Sequence, residues 1–207
     1  MSEAAPLCLN RPGLCKPGSV GPAVPETEVE VVDVVHGQAV LQSGQAGEVR
    51  VRGPQLMLGY RGRVEATREV LRDGWLYTGD IGYLDADGHL FLVDRKKDMI
   101  IVGGYNVYPR LVDEVLFAHP EIAEAATVGR VDPRLGEVLV AFVVRRSGSA
   151  LSEATFFDYC QANLVKYRRP VAVHFVDSLP RTPARKIDKK ALRARLAETL
   201  PRSSARG

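Results

Sequence analysis

The chain has 207 residues, 45% of them hydrophobic and 26% charged, and a formal net charge of +3. That balance suits one large domain or two small ones with a real core. It excludes a membrane-spanning helix, since no apolar run approaches ~20 residues, and the charge is too small to mark a nucleic-acid binder. No basic segment followed by an apolar one reads as a signal peptide. Cys8, Cys15 and Cys160 are odd in number and unpatterned, which argues against a disulfide framework and for a reducing, cytoplasmic setting. The four histidines are scattered, without zinc-ligand spacing.

In chain order, the first stretch carries Pro6, Pro12, Pro17, Pro22 and Pro25 with Gly13, Gly18 and Gly21, a density that forbids a long helix or central strand. Short apolar runs follow: VEVVDVV (29–35), GEVRVRG (47–53) and QLMLGY (55–60). EVRVR alternates with a period of two and predicts a half-buried strand. VEATREVLRDG (64–74) predicts a short helix stopped at Gly74. IGYLDADGHLFLVD predicts a hairpin turning at Asp87-Gly88.

Beyond Asp94 the pattern changes. DMIIVGGYNVYP reads as a strand broken by two glycines. Pro109 suits the first turn of a helix with Leu111, Val112, Val115 and Leu116 on one face. EAATVGRVD and EVLVAFVVRR are strands. SEATFFDYCQANL is a helix capped by Ser152, with Phe156, Cys160 and Leu164 on one stripe. VAVHFVDSLP is a strand. The last helix starts at an Asp188 cap, with Ile187 and Leu192 at hydrophobic-staple spacing. The expected class is α+β: a mostly β segment, residues 1–95, then a small α+β domain, residues 96–207, divided in the polar run DRKKD.

Three segments carry candidate chemistry. In WLYTGDIG, the Asp80 carboxylate beside Gly79 is able to accept two hydroxyl hydrogens, as from a ribose diol, although such a segment alone reads more simply as an Asx-turn. In VDRKKDMIIVGGYN, Arg95 stands at a hinge and Gly103-Gly104 allow a backbone or ligand to come close; a solvated linker and a β-bulge are the plainer readings. In VKYRRP, Tyr167 lies among Lys166, Arg168 and Arg169, a setting for a base and its phosphates or merely a basic loop.

The order GWLYTGD, VDRKKDMIIVGGYNVYP, LPRTPARKIDKKALR closely resembles the C-terminal part of acyl-adenylate-forming enzymes, and most of all fatty-acyl-CoA synthetases. The resemblance covers nearly the whole chain. It implies an ATP-dependent, AMP-forming acid–CoA ligase, with ATP and AMP, Mg2+ and coenzyme A as cofactors and a small carboxylic acid as substrate. It places Asp80 and Arg95 on the ribose and makes Lys97 the hinge. Gly103, Gly104 and Tyr105 would line the pantetheine passage, Tyr167 and Arg169 would sit near the coenzyme A nucleotide, and Lys186 would be the adenylation lysine. In the family a glycine commonly precedes that lysine; here the residue is Arg185. Met1-Ser2-Glu3 matches the end of a Tyr-Gly-x-Ser/Thr-Glu segment, which assigns Ser2 to phosphate and Glu3 to the metal. The family's Ser/Thr/Gly-rich phosphate loop is not found in the sequence. The β segment is therefore expected to be the remnant of a distorted barrel, completed by an N-terminal adenylation domain, with unpaired strands open to self-association. The alternatives are a non-catalytic coenzyme- or partner-binding module and a nucleic-acid binder using KKALRARL. Net charge and scarce aromatics weigh against the last.

Overall fold

The computed structural model describes residues 2–13 and 15–199; of the Met1-Ser2-Glu3 match, Met1 lies outside them. The chain divides between Lys97 and Asp98 into two compact units, and the class is α+β.

The first unit is one antiparallel sheet. β1 (Glu28–Val32) pairs with β2 (Gly47–Arg52), and β2 with the long central β4 (Trp75–Leu84). On the other side of β4 lie β3 (Leu71–Arg72) and then β5 (Leu90–Arg95). Helix α1 (Val64–Val70) runs directly into β3, so it ends before Gly74. The alternation in EVRVR is realised as two faces. Val49 and Val51 join Val31, Leu76 and Leu90 in the core. Arg50 and Arg52 point the other way and stack on Trp75, 4.5 and 4.7 Å from its centroid. Each also pairs across the sheet, Arg50 with Glu30 and Arg52 with Glu28, both at 2.6 Å.

Two of the short apolar runs are not strands along their whole length. VEVVDVV stays a strand only to Val32. Asp33 ends it because its carboxylate accepts from the N–H groups of His36, Gln38 and Ala39 at 2.6, 2.9 and 2.9 Å and folds the chain back. Those bonds, led by the one from His36, hold its pKa well below the ordinary carboxylate range. QLMLGY forms no strand; it contributes a single bridge, Leu56 to Ala4, by which the proline-rich start is tied down. Gly21 belongs to the same lashing. A Cβ there would meet the Leu9 carbonyl carbon at 2.4 Å.

In the second unit, β9 (Gly136–Arg145) is central, antiparallel to β8 (Ile122–Asp132) and parallel to β10 (Ala172–Phe175). β6 (Ile100–Val102) and β7 (Tyr105–Val107) extend the sheet at its far edge. The segment read as one interrupted strand is thus a hairpin. Gly103 and Gly104, with φ of +55° and +86°, are its two-residue turn, a conformation open to glycine at both places. VLVAFVV is apolar throughout because the sheet is covered on both faces. Leu139, Ala141 and Val143 pack with α2 (Pro109–Phe117) and α3 (Glu153–Asn163) through Val112, Leu116, Phe156 and Cys160. Val140 and Phe142 pack with α4 (Lys189–Thr199) through Leu192 and Leu196. The Ser152 hydroxyl accepts from Thr155 N–H at 3.2 Å and the Asp188 carboxylate from Ala191 N–H at 3.0 Å, so both expected caps form. Among the described residues no helix is long and apolar enough to cross a membrane.

Candidate functional site

Asp80 does not lie on a turn between two strands; it lies inside β4, at a bulge. Across from β2, Arg50 faces Tyr77 and Glu48 faces Ile81, so Thr78, Gly79 and Asp80 crowd opposite Val49 alone. Gly79 supplies the positive φ of +68° that the bulge needs. The Thr78 hydroxyl donates to the Val49 carbonyl at 2.7 Å and accepts from Asp80 N–H at 3.1 Å, which fixes the protrusion. Asp80 is the direct cross-strand partner of Arg95, whose Nε lies 2.7 Å from Asp80 Oδ1. Burial pushes the Asp80 carboxyl above its ordinary pKa, the Arg95 cation pulls it back, and the negative charge of Glu3 adds a further upward push. Thr78 and Asp80 form the polar edge of a cavity of about 310 Å³ otherwise lined by apolar groups, among them Ala4, Leu7, Val49 and Leu90.

Ser2 and Glu3 belong to the same unit. Tyr60 Oη donates to Glu3 Oε1 at 3.0 Å and Ser2 Oγ to Oε2 at 3.2 Å. Its own backbone N–H first, then Tyr60, hold Glu3 below the usual carboxylate range. A charged carboxylate of this kind suits Mg2+, which takes one or two protein oxygens and completes its shell with water and phosphate. Among the described residues no group of three or more His, Cys, Asp or Glu side chains gathers as a metal cage. Tyr60 carries no local signal of this role, since it is 57 positions from Glu3 in the chain.

Lys97 is exposed, in a 3-10 turn spanning Lys96–Asp98. Its two neighbours are each tied into their own unit. Lys96 Nζ is 2.7 Å from Glu48, whose side chain is 5% exposed, and Asp98 is 2.8 Å from Arg193 on α4.

In the second unit, Gly103, Tyr105, Tyr167 and Arg169 line one groove of about 610 Å³ with Leu135, Lys166 and Val171. Tyr105 and Tyr167 stack in parallel, centroids 4.6 Å apart, although 62 positions separate them in the chain. Gly104 is in the adjoining turn and is not part of the lining. Arg169 is largely committed: its Nε donates to the Leu164 carbonyl at 2.8 Å and its Nη2 to the Gln161 carbonyl at 3.0 Å, closing the end of α3. Arg168 instead lies 5.6 Å from the Tyr167 centroid.

Lys186 stands on a tight exposed hairpin turn. Arg185 N–H donates to the Thr182 carbonyl and Thr182 N–H to the Lys186 carbonyl, both at 2.8 Å. Pro183 presets the turn's first corner, and Arg185 adopts a left-handed φ of +61°. Arg185 therefore holds under strain a conformation that glycine takes freely. The Lys186 ammonium makes no ion pair among the described residues. Two of the α4 cations behave differently: Lys189 is 3.1 Å from Asp113 and Arg193 is 2.8 Å from Asp98, so part of the basic charge of KKALRARL is neutralised within the unit.

Two family descriptions match this chain: "AMP-binding enzyme" over residues 1–61 and "AMP-binding enzyme C-terminal domain" over residues 111–186. The chain belongs to the AMP-binding enzymes. This family chain is 43% identical to 4-coumarate–CoA ligase 2 of Nicotiana tabacum over 97% of its own length and 38% of the relative's. It is 44% identical to a long-chain-fatty-acid–CoA ligase of Escherichia coli O157:H7, over 85% and 31%. Among solved structures, ATP-bound MatB from Rhodopseudomonas palustris superposes with a TM-score of 0.87 at 35% identity, covering 94% of this chain and 39% of that one. The chain thus spans under two fifths of the length of these AMP-binding relatives. Fatty-acyl and 4-coumarate ligases stand equally near, so the special likeness to fatty-acyl-CoA synthetases does not single out a substrate class.

Proposed function

We propose that this chain is the C-terminal portion of an ATP-dependent, AMP-forming carboxylic acid–CoA ligase, in which residues 1–95 end the large adenylation domain and residues 96–207 form its mobile partner. The observation that carries this reading is the paired Asp80 and Arg95 at a fixed bulge, in a chain whose other unit presents an exposed lysine on a hydrogen-bonded turn.

In the first step a carboxylate oxygen of the acid bonds to the α-phosphorus of ATP, the bond to pyrophosphate breaks, and an acyl-adenylate forms. In the second, the thiol sulfur of coenzyme A bonds to the acyl carbon and AMP departs. Asp80 accepts hydrogens from the ribose hydroxyls, and Arg95 opposes the upward push of burial on its carboxyl while donating to the same sugar. Lys186 brings a cation between two anions that repel, stabilising the charge that gathers as they meet. Its flexible stem lets the same charge be withdrawn before the thiol arrives. Glu3 would hold Mg2+, which would offset the charge of the leaving pyrophosphate, and Ser2 would contact phosphate. Lys97, between residues anchored in opposite units, is the place for the rotation. The groove with the stacked tyrosines would take the coenzyme A arm, its apolar wall suiting pantetheine and Lys166 suiting phosphate.

Titration of the chain with coenzyme A, followed by NMR at Gly103, Tyr105 and Tyr167, tests the groove. Saturable shifts that Tyr167→Ala abolishes are expected. Shifts that spread evenly over both units, or that survive Tyr167→Ala, would refute the assignment.

A further inference from the structure

Two turns in this chain are the same device. At 85–89, Gly88 N–H donates to the Asp85 carbonyl at 3.1 Å and Asp85 N–H to the His89 carbonyl at 3.0 Å; at 182–186 the same two bonds join Thr182, Arg185 and Lys186 at 2.8 Å. Each turn ends on a left-handed residue, Gly88 with φ +77° and Arg185 with φ +61°. Glycine takes that conformation freely, whereas any Cβ crowds the following carbonyl. The turn with arginine therefore needs support that the turn with glycine does not.

The support is visible. Arg181 Nη1 donates to the carbonyl of Arg185 itself at 3.0 Å, and Arg181 Nη2 donates to Glu124 Oε1 at 2.8 Å. Glu124 sits on β8, 57 positions earlier in the chain and fixed in the sheet. An exposed ion pair by itself contributes little. This one is different in kind, because a planar fork bridges a rigid strand and the backbone of the strained residue, which an ammonium has no geometry to do. Asp188 N–H closes the base of the turn on the Pro180 carbonyl at 2.8 Å.

We infer that Arg181 and Glu124 are positioning residues. They clamp the turn that presents Lys186, and the clamp is required because Arg185 stands where glycine would relax the turn. Lys186 is exposed and makes no ion pair among the described residues, so its place follows the turn backbone. The importance of that placement for adenylation rests on the reading of Lys186 given above; the clamp itself does not.

The test is amide hydrogen exchange, by NMR on the 207-residue chain, at the donors Thr182, Arg185 and Asp188, corrected for intrinsic rates. Arg181→Ala is expected to speed exchange there about fivefold, the effect of one net hydrogen bond, and to leave the β9 amides of Val140 to Val143 unchanged. Arg181→Lys should not restore protection. Adding Arg185→Gly to Arg181→Ala should bring Thr182 and Asp188 back to within about twofold of the parent. The clamp is refuted if Arg181→Ala changes nothing, if all of the second unit loosens evenly, or if Arg185→Gly fails to rescue. Adenylation by a protein completed with the relatives' N-terminal domain is a separate reading. If exchange follows the expected pattern while Arg181→Ala leaves adenylation intact, the clamp stands and its hold on the turn does not limit adenylation.

Discussion

Lys186→Ala offers the sharpest separation of chemistry from architecture. The side chain is exposed and makes no ion pair among the described residues, and the turn bonds to its carbonyl, which alanine retains. The change in folding stability should therefore stay within about 0.5 kcal/mol, a shift in Tm of roughly 1–2 °C at this size. The chemical effect is much larger. Loss of one preorganised charge donor slows a step by about 10²–10³, or ~2.7–4 kcal/mol. The assay uses the chain joined to the N-terminal domain of a relative and measures two half-reactions: acid-dependent exchange of pyrophosphate into ATP, and transfer from a supplied acyl-adenylate to coenzyme A. The first should fall by two orders of magnitude or more and the second should change less than about twofold, since the amine has no charge to neutralise once pyrophosphate has gone. An equal loss in both half-reactions, or a large fall in Tm, would show that the lysine holds structure and would refute the reasoning.

Lys97→Pro should show the opposite split in the same assay, sparing adenylation and slowing thioester formation about tenfold or more, because a fixed φ between two anchored neighbours blocks the rotation; equal rates in parent and variant would exclude Lys97 as the hinge. Thiol labelling of the native chain should modify Cys15 first, since it is exposed, while burial pushes Cys8 up to about 11 and Cys160 up to about 12; Cys160 should react only on unfolding, and early labelling there would contradict its place beneath the sheet. Asp85 is held down to about 2 chiefly by Lys16, then by backbone N–H groups. A depressed carboxylate stabilises the fold above its unfolded pKa of about 4, and that contribution disappears as pH falls through about 2. NMR titration should show this midpoint, and Lys16→Met should raise it toward 4; an unmoved midpoint would mean that the backbone bonds alone set it.

The sequence determined what is encoded within a few residues or by period. The Ser152 and Asp188 caps, Pro109 opening a helix, the Asp87-Gly88 turn and the unbroken apolar run of β9 each depend on neighbours one to five positions away, where local hydrogen bonding and side-chain periodicity act. It also held the motif order on which family membership was suspected. Tertiary structure decided whatever needs partners distant in the chain. Thr78 to Asp80 read as a turn until β2 was laid beside them, because only the mismatch with Val49 makes a bulge. The double glycine looked like an interruption until its flanks paired as a hairpin. Arg169 looked available until the end of α3 reached it, and Tyr105 and Tyr167 were unrelated until β7 brought them face to face. Even the strain at Arg185 depends on where the chain turns back, since left-handed geometry belongs to the turn and not to the residue type. The physical reason is common to all of these: a side chain's local preference is written beside it, but its partner, its burial and its remaining hydrogen-bonding capacity are fixed only when distant segments close together.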